Sequence, residues 1–145
     1  MSDLYETDLH AWTQAQVDAL RRRSANEIDW DNLLEEIDDL GQSLHRELER
    51  RLAVLITHLL KWEQQPRFRS RSWVGTVNEQ RRQITRHLSK NPSLKASLDE
   101  AWAEAGKAGL AEAVRETGMA EERFEAQLAS LTFAQAMTSP LELDA

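Results

Sequence analysis

The sequence predicts an all-α fold: an antiparallel helical bundle of about four main helices, with shorter helices added. Three observations predict it. Apolar residues recur at helical spacing along most of the chain, no alternating strand pattern competes, and the turns between periodic segments are short. The 145 residues fit one domain. That domain is expected over residues 1–138, with 139–145 (Ser139-Pro-Leu-Glu-Leu-Asp-Ala) as a mobile tail. A chain of this size can bury a core without cross-links.

The elements follow in order. Leu4, Tyr5, Leu9 and Trp12 suggest a short helical lead-in. Thr13-Gln-Ala-Gln16 reads as a capping box opening a helix over about 14–23, with a thin stripe of Val17 and Leu20. Asp29 or Asp31 can cap a much longer helix. Its stripe is Leu33, Ile37, Leu40, Leu44, Leu48, Leu52, Leu55, Leu59 and Trp62, in steps of three and four. Around Leu52–Leu60 the helix is apolar on every side, so this part belongs deep in the core.

Gln64-Gln-Pro66 ends that helix. Ser70 or Ser72 caps the next, with a stripe of Trp73, Val77, Gln80, Ile84 and Leu88, and Asn91-Pro92 stops it. An alanine-rich helix over about 93–117 follows, closed by Gly118 as a left-handed cap residue. Within it, Gly106-Lys-Ala-Gly109 lacks the strand-turn-helix context of a phosphate loop and reads as close helix packing. Thr132-Phe-Ala-Gln135 is a second capping box.

A reversal near residue 68 pairs residue i with about 136 − i. Trp62 then meets Trp73 or Val74, and His58 meets Asn78. Residues 31–45 overhang the shorter partner helix. The five tryptophans are read as core rather than as a ligand cage.

The net charge of −7 is unevenly spread. Residues 1–60 carry 13 acidic and 6 basic side chains, 61–90 carry 2 and 8, and 91–145 carry 10 and 4. A basic middle between acidic flanks argues against a dedicated DNA-coating protein. With no cysteine, disulfides, thiolate zinc sites and cysteine nucleophiles are excluded together. The acidic opening lacks the apolar run of a signal peptide. Leu52–Leu60, the longest uncharged and mostly apolar stretch, is too short to span a bilayer. A cytoplasmic protein without membrane contact is expected.

Several segments occur together in order: Tyr5-Glu-Thr-Asp-Leu-His-Ala-Trp12, Asn32-Leu-Leu-Glu-Glu-Ile37 with Leu40-Gly41, His58-Leu-Leu-Lys-Trp62, Ser70-Arg-Ser-Trp73, Glu79-Gln-Arg81 and Pro92-Ser-Leu94. On these the chain resembles, over roughly residues 4–137, the bacterial family catalogued as domain of unknown function 29. The resemblance implies a helical cytoplasmic protein and no established activity.

Four constellations carry the functional reading. Glu35, Glu36, Asp38 and Asp39 form an acidic cluster, but none of the four histidines has a Glu three residues before it, so the cluster reads as a solvated face and neither a metal nor a cofactor is expected. His58, beside the deepest part of the core stripe, could act as an acid–base centre with Glu79 and Arg82; a hydrogen-bonded core histidine is the plainer reading. Arg67, Arg69, Arg71, Trp73, Arg81 and Arg82, continuing to Arg86 and Lys90, could form a polyanion-binding surface. Segment 13–41 resembles helix-turn-helix in outline only, since its second helix is acidic. Finally, Leu33, Leu34, Ile37, Leu40 and Leu44 on the overhang form a candidate interface for a protein partner or a homodimer.

The sequence therefore ranks a small non-catalytic interaction or accessory protein first. A nucleic-acid or other polyanion-binding module using Arg67–Arg86 ranks second, and an enzyme centred on His58 third.

Overall fold

The computed structural model describes residues 4–143. Residues 1–3, and residues 144–145 of the expected tail, lie outside that range. Seven α-helices occur among the described residues: α1 (Leu4–Thr7), α2 (Leu9–Arg21), α3 (Trp30–Gln64), α4 (Arg71–Lys90), α5 (Leu98–Thr117), α6 (Glu121–Ser130) and α7 (Phe133–Thr138). Short 3₁₀ turns join them at Ala25–Glu27, Pro66–Phe68 and Pro92–Ser97. No described residue is in a strand, so the all-α expectation holds. The chain forms two compact units, residues 1–43 and 44–145.

In the first unit the expected cap at Thr13 is wrong. The helix begins five residues earlier, at Leu9, because the Asp8 side chain accepts from the Ala11 amide at 3.0 Å. Thr13 Oγ1 instead donates to the His10 carbonyl at 2.7 Å, and Gln16 Oε1 accepts from the Asp29 amide at 2.8 Å. This early start places Trp12 inside the unit, edge-on to Tyr5 at 4.9 Å, with its indole N–H on Asp29 Oδ2. Asp29 also accepts from the Asn32 amide and side chain, holding the start of α3 as expected. The Asn32 and Trp12 donors keep the Asp29 carboxyl below its ordinary range. The Tyr5 hydroxyl donates to Glu36 Oε1 at 2.6 Å, a bond the phenolate would lose, and its pKa is pushed up to about 12.

In the second unit α3 is buried around most of its circumference. Leu48, Leu52, Leu55, Ile56 and Leu60 have no exposed surface, and Thr57, Lys61 and Trp62 are also buried. Burial of each such aliphatic side chain stabilises by roughly 1.5–3 kcal/mol. Val77 and Ile84 of α4, Ala101, Ala105 and Ala113 of α5, Phe124 of α6 and Ala136 of α7 complete this core. Ser70 caps α4, Gly118 closes α5 at φ 70°, and Thr132 and Gln135 form a reciprocal capping box on α7, all as the sequence suggests. Leu141, beyond α7, packs against the core.

The small residues of α5 let it approach α3 closely. A Cβ added at Gly109 would lie 2.8 Å from Ile56 Cγ2 and 3.1 Å from the Ala53 carbonyl. Thr57 Oγ1 lies 2.8 Å from the Ala53 carbonyl and 3.2 Å from that of Gly109, bridging the crossing. The glycine pair is thus a packing device, as expected.

The Trp62–Trp73 pairing does not form. The aromatic pairs among the described residues are Tyr5–Trp12 and Trp102–Phe133. Each of the two expected partners meets a cation instead: Arg69 lies 5.0 Å from the Trp62 ring, and Lys61 Nζ lies 4.9 Å from the Trp73 ring. The cause is the free carbonyl at the end of α3. Arg69 folds back so that its Nε donates to the Trp62 carbonyl at 2.8 Å, which sets the guanidinium against the ring. Trp30, also read as core, is 60% exposed.

Two glycine substitutions should act in opposite directions. Gly41 sits exposed inside α3 with nothing near its missing Cβ, so Gly41→Ala should stabilise by up to about 1 kcal/mol through helix propensity. Gly109→Ala gains the same propensity but overpacks Ile56 and a fixed carbonyl, a cost of about 1–3 kcal/mol, so it should be neutral at best and otherwise destabilising. Urea unfolding of both variants checks the pair.

Candidate functional site

Four places hold the side chains relevant to function. The first is the exposed face of α3 in the first unit. Leu34 is 69% exposed, and Ile37 and Leu40 are each 60% exposed, as is Trp30. At 100° per residue these four fall within an arc of about 120°. Asp31, Glu35, Asp38 and Asp39, all exposed, run along one edge of that arc. Leu33 and Leu44, the other two residues of the expected interface, are half-buried.

The second is the basic segment, several of whose arginines are engaged within the fold. Arg69 is held by Trp62 as described. Arg81 Nε donates to the Ala136 carbonyl at 2.9 Å and its Nη2 to the Ser139 carbonyl at 2.7 Å, so this guanidinium satisfies carbonyls at the end of α7. Arg82 is paired with Glu79. Trp73 is half-buried beside Lys61, which makes an ion pair with Glu116 at 2.6 Å. Arg67 and Arg71 are exposed and without an ion pair among the described residues.

The third is a groove of about 320 Å³ lined by Arg50, Ala53, Val54, Thr57, His58, Ala108, Glu112 and Glu116. The carboxylates that share a groove with His58 thus come from α5, whereas Glu79 is held by Arg82 and Gln83. His58 Nδ1 lies 2.9 Å from the Val54 carbonyl, an acceptor only, so Nδ1 carries a proton. Burial pushes the imidazole below its ordinary value of 6.5, the Val54 carbonyl opposing that shift and nearby Lys61 adding to it. The neutral ring has its Nε2 lone pair available as an acceptor.

The fourth place takes Arg86 and Lys90 from the basic run, but Arg51 and His87 were not singled out from the sequence. Leu44, Glu47, Arg51, Gln83, Arg86, His87, Lys90 and Asn91 line a cleft of about 240 Å³ between α3 and the end of α4. His87 is 7% exposed, with Nδ1 2.7 Å from Glu47 Oε2 and Nε2 2.7 Å from the Leu44 carbonyl. The signal that could have found it is Arg51, one residue before the fully apolar stretch of α3, where a charge needs a partner.

Among the described residues no three His, Asp or Glu side chains are grouped so as to hold a metal ion, and no helix is long and apolar enough to cross a membrane.

The His58 environment has a pH consequence. Its folded-state pKa lies below the unfolded value, so as pH falls through about 6.5 the unfolded chain takes up the proton first. Stability present above that range is lost on acidification. His58→Gln should therefore flatten the fall in Tm on going from about pH 7 to about pH 5. A slope identical to that of the parent would refute this.

No curated protein and no solved structure matches the chain. The family described as Domain of unknown function DUF29 matches residues 4–140, nearly the whole sequence. With helices alone over that span and the ordered motifs that suggested it, the chain belongs to the DUF29 family.

Proposed function

We propose that this chain is a non-catalytic interaction protein whose α3 face at Trp30, Leu34, Ile37 and Leu40 receives a basic amphipathic helix of another protein. The observation carrying this reading is the exposure of four large apolar side chains on one helical stripe. In steps of three and four the stripe continues the run that is buried from Leu48 onward. Contiguous apolar surface of this kind marks contact sites, and helical spacing suits a helix laid alongside.

Charge selects the occupant. Residues 1–43 carry 11 acidic and 3 basic side chains, a net −8, whereas residues 44–145 carry 14 and 15, a net +1. Two copies meeting through this face would set like charges against each other, which disfavours a homodimer there. A helix with Leu on one side and Lys or Arg beside it answers both the stripe and its acidic edge.

The test uses two synthetic amphipathic helices of equal Leu content, one with Lys and one with Glu on the polar face. The Lys peptide should bind, shift the amide signals of residues 30–40 and weaken with added salt, and the Glu peptide should not. Leu34→Asp with Ile37→Asp should reduce affinity at least about tenfold while leaving Tm nearly unchanged, because both side chains are exposed. Equal binding of both peptides, or a stable dimer in sedimentation that the double variant dissociates, would refute the reading.

A further inference from the structure

We infer that the cleft formed by Arg51, Gln83, Arg86, His87 and Lys90 is a binding site for a dianionic phosphate, the terminal group of a small phosphomonoester. It shares no side chain with the α3 face proposed for a protein partner.

The cleft has more positive charge than its surroundings balance. Arg51, Arg86 and Lys90 line it, with Glu47 as the one carboxylate among its lining residues. Glu47 Oε2 is taken by His87 Nδ1, and its other oxygen is 3.8 Å from Arg51 Nη2, too far for a hydrogen bond. His87 Nε2 faces the Leu44 carbonyl, which can only accept; a Glu47 carboxylate on Nδ1 can only accept too. His87 is thus engaged at both ring nitrogens and fixed in the wall of the cleft. The side chains of Arg86 and Lys90 have no ion pair or hydrogen bond among the described residues.

Arg51 points most directly to a ligand. Its Nε is buried and has no hydrogen-bond partner, while Nη1 reaches Gln80 only at 3.4 Å. A buried guanidinium donor left without an acceptor is uncommon in native proteins and calls for an explanation. The plain account, that a cation at the end of α4 answers its macrodipole, covers Lys90 but not Arg51, which lies on α3.

Size and charge define the ligand class. About 240 Å³ is below the usual range for a whole drug-sized ligand but ample for a phosphate with a few attached atoms. Arginine forks suit phosphate oxygens, and Gln83 and Asn91 add neutral polar groups at the wall. Three lining cations, Arg51, Arg86 and Lys90, against the single carboxylate of Glu47 leave a net charge of +2, which favours a dianion over a diester.

The experiment titrates the full chain with inorganic phosphate, methyl phosphate and dimethyl phosphate at constant ionic strength. Heats and amide and side-chain signals of Gln83, His87 and Asn91 are followed. The two dianions should bind and move those signals, with methyl phosphate at least as tight as phosphate if the site takes an ester. Dimethyl phosphate should bind at least about tenfold more weakly. Arg51→Met keeps the aliphatic stem, removes the orphaned donor, and should cost about tenfold in affinity with no loss of Tm. Arg86→Ala and Lys90→Ala, both exposed, should each weaken binding severalfold, and Arg67→Ala should not. Arg86 and Lys90 keep the test decisive if Arg51→Met fails to fold. Several results would overturn the inference: equal binding of the diester, shifts centred away from the cleft, or affinity unchanged in the Arg51, Arg86 and Lys90 variants. So would a single-stranded oligonucleotide whose binding depends on Arg67 and not on Arg51.

Discussion

Helix α3 between Leu48 and Trp62 has apolar residues on nearly every side, and the second unit is organised around burying them. One neighbouring helix can cover only part of a helical surface, so α4, α5, α6 and α7 all contribute side chains to the same core. Close coverage requires small residues, which explains Ala101, Ala105, Gly109 and Ala113 along α5. At Gly109 the backbones approach until Ile56 fills the place of a side chain, whereas at Gly106 a Cβ would meet Leu128 of α6 at an ordinary contact distance of 3.4 Å. Interiors packed to this density feel even one added methyl group.

The same demand decides what the polar residues do. A helix buried this thoroughly presents carbonyls and charges that need partners inside the fold. Arg69 takes the Trp62 carbonyl, Arg81 takes those of Ala136 and Ser139, and Lys61 pairs with Glu116 beside the Trp73 ring. Much of the positive charge between residues 61 and 90 is therefore structural. What looks like one basic surface in a linear count is divided into arginines that close helix ends and a few cations, among them Arg86 and Lys90, that remain available.

Features that depend on local chemistry were legible in the sequence. Ser70, Gly118 and the Thr132–Gln135 box act through backbone groups a few residues away, and the long stripe of α3 needs only its own periodicity. Features that depend on which neighbour arrives were not legible. Asp8 displaced Thr13 as a cap because burying Trp12 rewards the earlier start, a tertiary gain that the box motif does not encode. A hairpin with only α4 opposite α3 places Asn78 and Glu79 beside His58. The Gly109 crossing puts α5 there, and Glu112 and Glu116 with it. Arg51 and His87 were passed over for a related reason: their cleft joins residues 36 positions apart, and neither lies in a recognisable motif.

The surfaces that remain are informative because each is unfavourable for an isolated folded chain. Large apolar side chains at Leu34, Ile37 and Leu40 forgo the burial that drives folding, and polar residues there would avoid the exposure. An orphaned Arg51 Nε loses its hydration without gaining an acceptor, and an apolar side chain of the same length would avoid that. Neither feature helps to close the core, since the core residues are satisfied without them. They also ask for opposite chemistry: an apolar, cationic surface in one case and a compact anion in the other. Folding alone explains the packed middle of α3 but neither of these. The two proposed ligands would account for both, and separate sets of substitutions distinguish them.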